Sequence, residues 1–327
     1  MMAIRVQRRA FIPRNIITGL TGSLDILGEA KAYLHIGRGA QLPRYDRSAL
    51  AHLKKLRGEK LEQELMKFSE GIEVEYSSFF SLRGIPCIPG SSLKGVARSR
   101  LELSFHSVEN LVPSCHIIAS YPVKAKKHEH GWRHQLIWPS SLEDRGDSCK
   151  LIGKRTREEV CAVCNLFGAP GLASRVFFGN LICINPEERI EAIELDQHEK
   201  IIALKPGAIF RGEISFQSLK ASELGLLFIS LNLHKLSPIL IGNSKYRLRT
   251  RVDGKKLKFG ELMLTVERAR FSPLSIKELK ELGISDLHLQ GESLKILINL
   301  FVSKALEEYG KWLKEVEEVL ARDGIGE

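Results

Sequence analysis

The stretch that most constrains the fold is a Pro-Gly turn followed by helix-compatible residues, written IPGSSLKGVARSR at positions 88–100. A Pro-Gly pair marks a turn and serine is a preferred N-cap, so the pattern predicts a helix from about Ser91 to Phe105. We expect Ser91 or Ser92 to accept hydrogen bonds from the backbone amides of the first turn. The chain therefore enters a helix directly from a tight turn at this point.

The same stretch has the features of an anion-binding site. Unpaired amides at a helix start, the positive end of the helix dipole and serine hydroxyls all favour a phosphate group. Lys94 and Arg98 are four residues apart, so both can face one strand of a polyanion. These residues predict a phosphate site. An ordinary capped helix with a solvated basic face is the alternative.

The net charge also favours an anionic partner. The chain has 49 Lys and Arg against 39 Asp and Glu, a net charge of +10. This balance favours nucleic acid, and a basic protein without such a partner is the alternative. No apolar run reaches the roughly 20 residues of a membrane span. The basic start, Met1 to Arg9, has no apolar core after it, so we expect a cytoplasmic protein without membrane contact.

Predicted strands and helices alternate irregularly along the chain. Positions 16–36 are predicted to form two strands joined by a turn, with Gly19, Gly22 and Gly28 as breaks. Further strands are predicted at 175–184, 208–216 and 261–268, and further helices at 223–234 and 294–320. The regular alternation of a doubly wound sheet is missing. We therefore predict an α+β fold with an antiparallel sheet and helices on one face.

We expect one domain over residues 1–327 with three added segments. Residues 40–80 are highly charged and are predicted as a basic insertion with a helix from Ser48 to Met66. Residues 112–165 are rich in Cys and His with little periodicity, and are predicted as an insertion stabilised by zinc. Residues 275–327 are predicted as a C-terminal helical extension.

A cluster of potential metal ligands lies in the second of these segments. Cys161 and Cys164 form a CxxC pair, and Cys115, His116 and Cys149 precede them. Zinc prefers four thiolate or imidazole ligands, and a site that forms on folding stabilises an irregular segment. We predict a structural zinc site of the four cysteines, with His116 as the substitute for Cys115. A redox CxxC and cysteines that bind nothing are the alternatives.

Four segments together resemble the RAMP superfamily of CRISPR effector proteins, especially the backbone subunits of type III interference complexes. Each segment is short, but the combination and its order are specific. The segments are Leu34–Gly37 with Gly39, Ile88–Gly95 with Arg98, Cys164–Gly168 with Ser174–Phe178, and Lys205–Gly207 with Phe210.

The resemblance implies a ferredoxin-like (RRM-like) core with large insertions. Copies of such a subunit associate along a CRISPR RNA, together with target RNA and other effector subunits. Specificity then comes from pairing between guide and target. The residues implied in contact with RNA are His35, Gly37, Arg38, Ser91, Ser92, Lys94, Arg98, Lys245 and Arg247.

The chain departs from the family pattern in two places. Catalytic members carry an aspartate shortly before the IPGSSLKG motif, and residues 75–84 contain none. Asp46, earlier in the same loop, is the candidate for that role, and only a catalytic subunit implies Mg²⁺. The family's glycine-rich loop is reduced here to 241–247, where Lys245 and Arg247 are the remaining basic residues.

We therefore expect an RNA-binding structural subunit of a type III ribonucleoprotein complex. One alternative is a catalytic subunit that cleaves target RNA through Asp46. Another is a zinc-stabilised enzyme acting on an acidic small molecule. Against the last, the sequence has no nucleotide-binding glycine fingerprint, no HExxH and no GxSxG motif.

Overall fold

The computed structural model describes residues 4–44, 52–53, 55–70, 73–116, 126–127, 129, 131–152, 158–196, 199–242, 244–246, 251–252 and 255–325. The strands are β1 (Arg5–Val6), β2 (Arg9–Ala10), β3 (Leu20–Ala30), β4 (Gly37–Arg44), β5 (Glu73–Phe79), β6 (Ser81–Leu82), β7 (Ile85–Ile88), β8 (Leu111–Val112), β9 (Glu159–Val160), β10 (Val176–Phe178), β11 (Leu181–Cys183), β12 (Ile190–Asp196), β13 (Glu199–Leu204), β14 (Ile209–Leu219), β15 (Ile239–Leu240), β16 (Arg251–Val252), β17 (Lys255–Lys256), β18 (Glu261–Phe271) and β19 (His288–Gln290).

The α-helices are α1 (Glu59–Glu70), α2 (Gly90–Ser104), α3 (Trp132–Ile137), α4 (Ala162–Phe167), α5 (Ala221–Ser230), α6 (Ile276–Glu281), α7 (Gly291–Tyr309) and α8 (Glu318–Gly324). Two short 3-10 helices cover Pro139–Leu142 and Pro273–Ser275.

The main sheet is antiparallel and is centred on β3. Its strand order is β15-β18-β3-β14-β11-β7-β6, with β10 also paired to β14 and β19 to β18. The long strands β14 and β18 flank β3 and pair with it in antiparallel register. The predicted α+β class with an antiparallel sheet is therefore confirmed.

The predicted break within residues 16–36 is wrong, because β3 is one continuous strand. Gly19, with φ of +70°, precedes it as a turn residue, but Gly22 lies inside it. A Cβ on Gly22 would lie 2.1 Å from the carbonyl oxygen of Arg270. Glycine at that position lets β18 approach β3 closely, so it marks a tight strand contact and not a turn.

Helices α2, α5 and α7 pack together against the main sheet. Leu93 and Leu101 of α2, Leu227 of α5 and Phe301 of α7 are fully buried in one core with the strand residue Ile26. The helix predicted at 294–320 ends at Tyr309, and α8 follows as a separate helix. The predicted C-terminal extension thus contributes α7 to the main core and β19 to the main sheet.

Helix α2 begins at Gly90, and the predicted serine cap is wrong. Pro89 is the N-cap residue, without a side-chain hydrogen bond. The Gly90 amide donates to Asn180 Oδ1 at 2.9 Å, while the Ser92 amide donates to the Pro89 carbonyl at 3.0 Å. A Cβ on Gly90 would lie 2.0 Å from the carbonyl oxygen of Phe178. The glycine is needed because the helix start touches the β10–β11 backbone.

A smaller second sheet has the strand order β12-β13-β5-β4. It packs around a separate apolar cluster that includes Ile193, Ile201 and Phe259. Between β4 and β5, the helix α1 covers the last part of the helix predicted at 48–66 and continues to Glu70, while residues 45–51 and 54 lie outside the described residues. Helix α1 carries four glutamates and two lysines, so the helix that forms is net acidic.

Within the described ranges, no helix combines the length and the apolar character that crossing a membrane requires.

The contact at Gly90 predicts a strong difference between two glycines of one helix. Gly90→Ala should lower the free energy of unfolding by about 2 to 3 kcal/mol, because the new methyl group displaces the Phe178 backbone. Gly95→Ala is the matched control, since a Cβ there meets no atom within 4 Å. It should raise stability by about 0.5 to 1 kcal/mol through helix propensity. Urea unfolding measures both, and equal effects would contradict this account of Gly90.

Candidate functional site

Three segments far apart in the sequence form one groove of about 400 Å³. One wall is a face of α2, the second is the start of β4, and the third is the loop after β15. The lining residues are Ile36, Gly37, Ser92, Gly95, Val96, Ser99, Ile241, Gly242 and Lys245. Among them, Gly37, Ser92 and Lys245 are residues for which the family resemblance implies RNA contact.

Helix geometry divides the motif residues of α2 between two faces. Ser92, Val96 and Ser99 are spaced i, i+4 and i+7, so they share the face that lines the groove. Lys94 and Arg98 lie on the neighbouring face and do not line it. Lys94 is half-buried, and burial together with the charge of Arg98 lowers the pKa of its ammonium group. Ser91, on that same face, is exposed.

Arg98 points into the protein. Its Nε donates to Glu102 Oε1 at 2.7 Å, and its Nη1 donates to the Gly168 carbonyl at 2.8 Å. Its Nη2 donates to Cys164 Sγ at 3.2 Å. The side chain is only 16% exposed. The structure therefore places Arg98 in internal contacts and not on the groove surface.

The loop after β15 approaches β4 through a glycine. Gly242 has φ of +91°, and a Cβ there would lie 2.4 Å from the carbonyl oxygen of His35. The imidazole of His35 is buried beneath this contact, with Nδ1 2.8 Å from the Ile202 carbonyl oxygen. His35 thus lies below the groove surface, whereas Arg38 is exposed beside it.

Lys245 supplies the positive charge of the groove. Burial lowers the pKa of its ammonium group and Arg100 adds to this, while Glu318 opposes it. The Nζ atom lies 5.2 Å from the centre of the Tyr246 ring. Arg322, fully buried, donates to the Lys245 carbonyl at 3.2 Å and holds the backbone. A partly desolvated ammonium gains from an anion beside it, so this position suits a phosphate group.

Asp46 and Arg247 lie outside the described residues. Among the lining residues that sequence reasoning missed are Val96, Ser99 and Gly242. The i, i+4, i+7 spacing from Ser92 is a signal that could have found the first two. No sequence pattern marks Gly242, because glycine is required there only by the close approach of the His35 backbone.

The four predicted cysteines form a compact cluster. The sulfur atoms of Cys115, Cys149, Cys161 and Cys164 all lie within 4.8 Å of one another. Cys115 Sγ is 3.5 Å from Cys164 Sγ and 3.7 Å from Cys161 Sγ. A tetrahedral zinc site with Zn–S bonds of about 2.3 Å has sulfurs about 3.8 Å apart. All four residues are buried free thiols, so the cluster could hold a metal ion.

The backbone around the cluster supports thiolate charge. The amide of Cys164 donates to Cys161 Sγ, and that of Cys161 donates to Cys149 Sγ, both at 3.4 Å. Hydrogen bonds from the sulfurs of Cys115, Cys161 and Cys164 lower the pKa of the Cys149 thiol. The Cys149 sulfur is therefore stabilised as a thiolate, which is the form in which cysteine binds a metal ion.

His116 is not a member of this cluster, so its predicted role as a substitute ligand is wrong. Burial lowers the pKa of its imidazole to about 3, and the charge of Arg145 adds to this effect. The imidazole is buried and is not among the ligand atoms that lie within 4.8 Å of one another, and the four sulfurs already supply the four ligands that zinc prefers. The fold places the sulfur of the neighbouring Cys115, and not the His116 imidazole, beside the sulfurs of Cys149, Cys161 and Cys164.

The N-terminal segment fastens the two parts of the chain that carry the cysteines. β1 pairs with β8, which ends three residues before Cys115. β2 pairs with β9, which ends directly before Cys161. Cys161 is the N-cap residue of α4, and Cys164 lies within that helix. The N-terminal strands β1 and β2 therefore hold together the two separate segments that supply Cys115 and Cys161.

A comparison with known proteins identifies the family. The family model of the RAMP superfamily matches residues 29–326. The chain therefore belongs to the RAMP superfamily, and the resemblance stated from its motifs is confirmed at that level. Among solved structures, it is similar to the crystal structure of Thermofilum pendens Csc2, with 12% identity over 96% of this chain and 84% of that chain. The TM-score is 0.35, so this likeness supports no further conclusion. No curated protein matches the chain.

His134 links the cysteine-bearing segment to the groove and predicts a pH dependence. Its Nδ1 lies 2.9 Å from the Tyr246 hydroxyl. Burial and then Lys245 lower its pKa from 6.5 to about 4. The folded protein thus holds a neutral imidazole that the unfolded chain protonates first as the pH falls. His134 therefore contributes stability above pH 6.5 that is lost as the pH falls to 4, at about 1 kcal/mol per pH unit.

The His134→Gln variant isolates this contribution. The difference in free energy of unfolding between wild type and His134→Gln should shrink as the pH falls from 6.5 to 4, measured by urea unfolding. His288→Gln, at an exposed position, is the control. The same pH trend in both variants would contradict the role of His134.

Proposed function

We propose that the protein is an RNA-binding structural subunit of a type III CRISPR ribonucleoprotein complex, and that the groove holds phosphates of the CRISPR RNA. One observation carries this proposal. Gly37, Ser92 and Lys245, which come from three separate family motifs, line a single groove. Such convergence is expected of a shared binding site and not of three unrelated structural features.

The fold supports the same proposal. When the segments inserted between them are left out, six elements stand in a βαββαβ order along the chain, namely β3, α2, β11, β14, α5 and β18. Of these, β11 and β14 pair as antiparallel neighbours. In the sheet the four strands stand in the order β18-β3-β14-β11. This arrangement is typical of a ferredoxin-like core, and we infer that the chain is one RAMP-type domain built on it.

The chemistry of the groove favours the RNA backbone over the bases. Its lining consists of glycines, serines, small aliphatic side chains and one lysine. Serine hydroxyls and an ammonium group bind phosphate oxygens, and glycines allow the RNA backbone to approach closely. Binding of this kind is indifferent to sequence, so specificity would come from base pairing between guide and target RNA. Partners would be CRISPR RNA, target RNA, other effector subunits and further copies of this chain.

The alternatives have less support. Cleavage of target RNA through Asp46 with Mg²⁺ stays a prediction, because Asp46 lies outside the described residues. An enzyme acting on an acidic small molecule has no support from the family, and among the described residues the open groove is lined by a single charged side chain.

We further propose that the cysteine cluster holds one structural zinc ion. The residues fit zinc because four buried sulfurs lie within 4.8 Å of one another and two of them accept backbone N–H groups. Bound zinc would tie together segments that otherwise have few regular elements.

The role of Lys245 is testable by RNA binding. Lys245→Gln should weaken binding of single-stranded RNA about tenfold and reduce the slope of log K against log salt by about 0.7. Filter binding at several salt concentrations measures both quantities. Lys295→Gln, on the exposed face of α7, is the control, with 69% of its side chain accessible.

A thermal unfolding curve for Lys245→Gln ensures that the variant is folded. Unchanged affinity and an unchanged salt slope in folded Lys245→Gln would remove this residue from the phosphate contacts.

The zinc proposal predicts the metal content of two variants. The purified wild type should contain about one zinc ion per chain by mass spectrometry. Cys149→Ala should lose the metal and unfold at a lower temperature. Cys183→Ala, a buried cysteine of the main sheet, should retain it. Metal-free wild type, or equal loss in both variants, would contradict a four-cysteine site.

A further inference from the structure

Arg98 joins three chemically different groups, although the phosphate-binding motif predicted it to face RNA. Its guanidinium donates to the carboxylate of Glu102 on its own helix, to the backbone of Gly168 and to the sulfur of Cys164. The last two acceptors belong to the segment that completes the cysteine cluster. Arg98 therefore connects α2 directly to that cluster.

The charge of the cluster gives this contact an energetic reason. Four thiolates around a divalent ion carry a net negative charge, and a buried charge needs a partner of opposite sign. Arg98 supplies that positive charge, since its Nη2 lies 3.2 Å from Cys164 Sγ while its Nε lies 2.7 Å from Glu102 Oε1. Hydrogen bonds from nearby groups to metal ligands orient those ligands and raise metal affinity.

The same helix forms a wall of the groove. Arg98 lies one residue before Ser99 and two after Val96, both of which line the groove on the neighbouring helix face. A helix moves as a rigid element, so a shift at Arg98 displaces that wall. The cysteine-bearing segment also contacts the loop after β15, where the His134 imidazole meets the Tyr246 hydroxyl next to Lys245.

We infer that Arg98 is a positioning residue that couples metal occupancy of the cysteine cluster to the shape of the RNA-binding groove. With metal bound, the anionic cluster holds the guanidinium and thereby α2. Without metal, Cys164 and Gly168 lose their fixed place and α2 loses this anchor. The part of this inference that concerns RNA rests on the proposed function, whereas the part that concerns metal and helix does not.

The test uses the full chain in four forms, namely wild type, Arg98→Met, Arg98→Lys and Arg211→Met. Arg211 is the matched control, because it is an exposed arginine in an ion pair with Glu267 on the main sheet. Co²⁺ is the metal probe, since thiolate-to-cobalt absorption reports both affinity and coordination. Hydrogen exchange of the peptide spanning α2 reports the position of the helix, and a labelled single-stranded RNA of mixed sequence reports the groove.

We expect Arg98→Met to lower Co²⁺ affinity by about 10- to 100-fold. Arg98→Lys keeps the charge without the planar group and should fall between wild type and Arg98→Met, while Arg211→Met should match wild type. In wild type, metal removal should speed exchange in α2. In Arg98→Met at saturating Co²⁺, exchange in α2 should stay fast although the cobalt spectrum shows an intact four-sulfur site.

RNA affinity should follow the exchange rate of α2 and not the metal content. Unchanged Co²⁺ affinity in Arg98→Met would overturn the inference, as would exchange in α2 that is independent of metal in wild type. RNA affinity that is equal in metal-saturated wild type and Arg98→Met would also overturn it. If wild type binds no RNA while the cobalt and exchange results hold, the coupling is supported and the proposed function falls.

Discussion

One backbone contact, between Gly90 and the carbonyl oxygen of Phe178, fixes where α2 begins. No side chain fits between them, since a Cβ would lie 2.0 Å from that oxygen. The neighbouring Asn180 then accepts the Gly90 amide, so the first turn of the helix is fixed to the β10–β11 connection. From this anchor the helix presents one face to the groove and the next to the cysteine cluster.

The two faces of α2 differ in their chemistry. The face with Ser92 and Ser99 is small and polar, and it lies opposite the partly desolvated ammonium of Lys245. On the neighbouring face, the side chain of Arg98 is only 16% exposed, and its charge is satisfied inside the protein. The residues of the 88–100 motif therefore have two different roles. Ser92 and Ser99 line the groove, whereas Arg98 makes hydrogen bonds inside the protein.

Features of the fold and of the site that depend on residues close in sequence could be predicted from the sequence. The Pro-Gly turn placed the start of α2 within one residue, and the CxxC spacing identified a cluster whose four members the fold brings together. The serine cap, the inward turn of Arg98 and the exclusion of His116 depend on what other segments place nearby. Gly22 is another such case, because only the approach of β18 shows that a glycine is required there and that the position is not a turn. Local patterns predicted elements and ligand types, while tertiary contacts decided which side chains face the groove.

The most direct test is a structure of the full, metal-loaded chain with single-stranded RNA. The account predicts a backbone phosphate in the groove, within hydrogen-bond distance of Lys245 Nζ and the Ser92 hydroxyl, with Arg98 still bonded to Cys164. RNA bound on the opposite face of the main sheet, with the groove filled by the protein's own side chains, would contradict it.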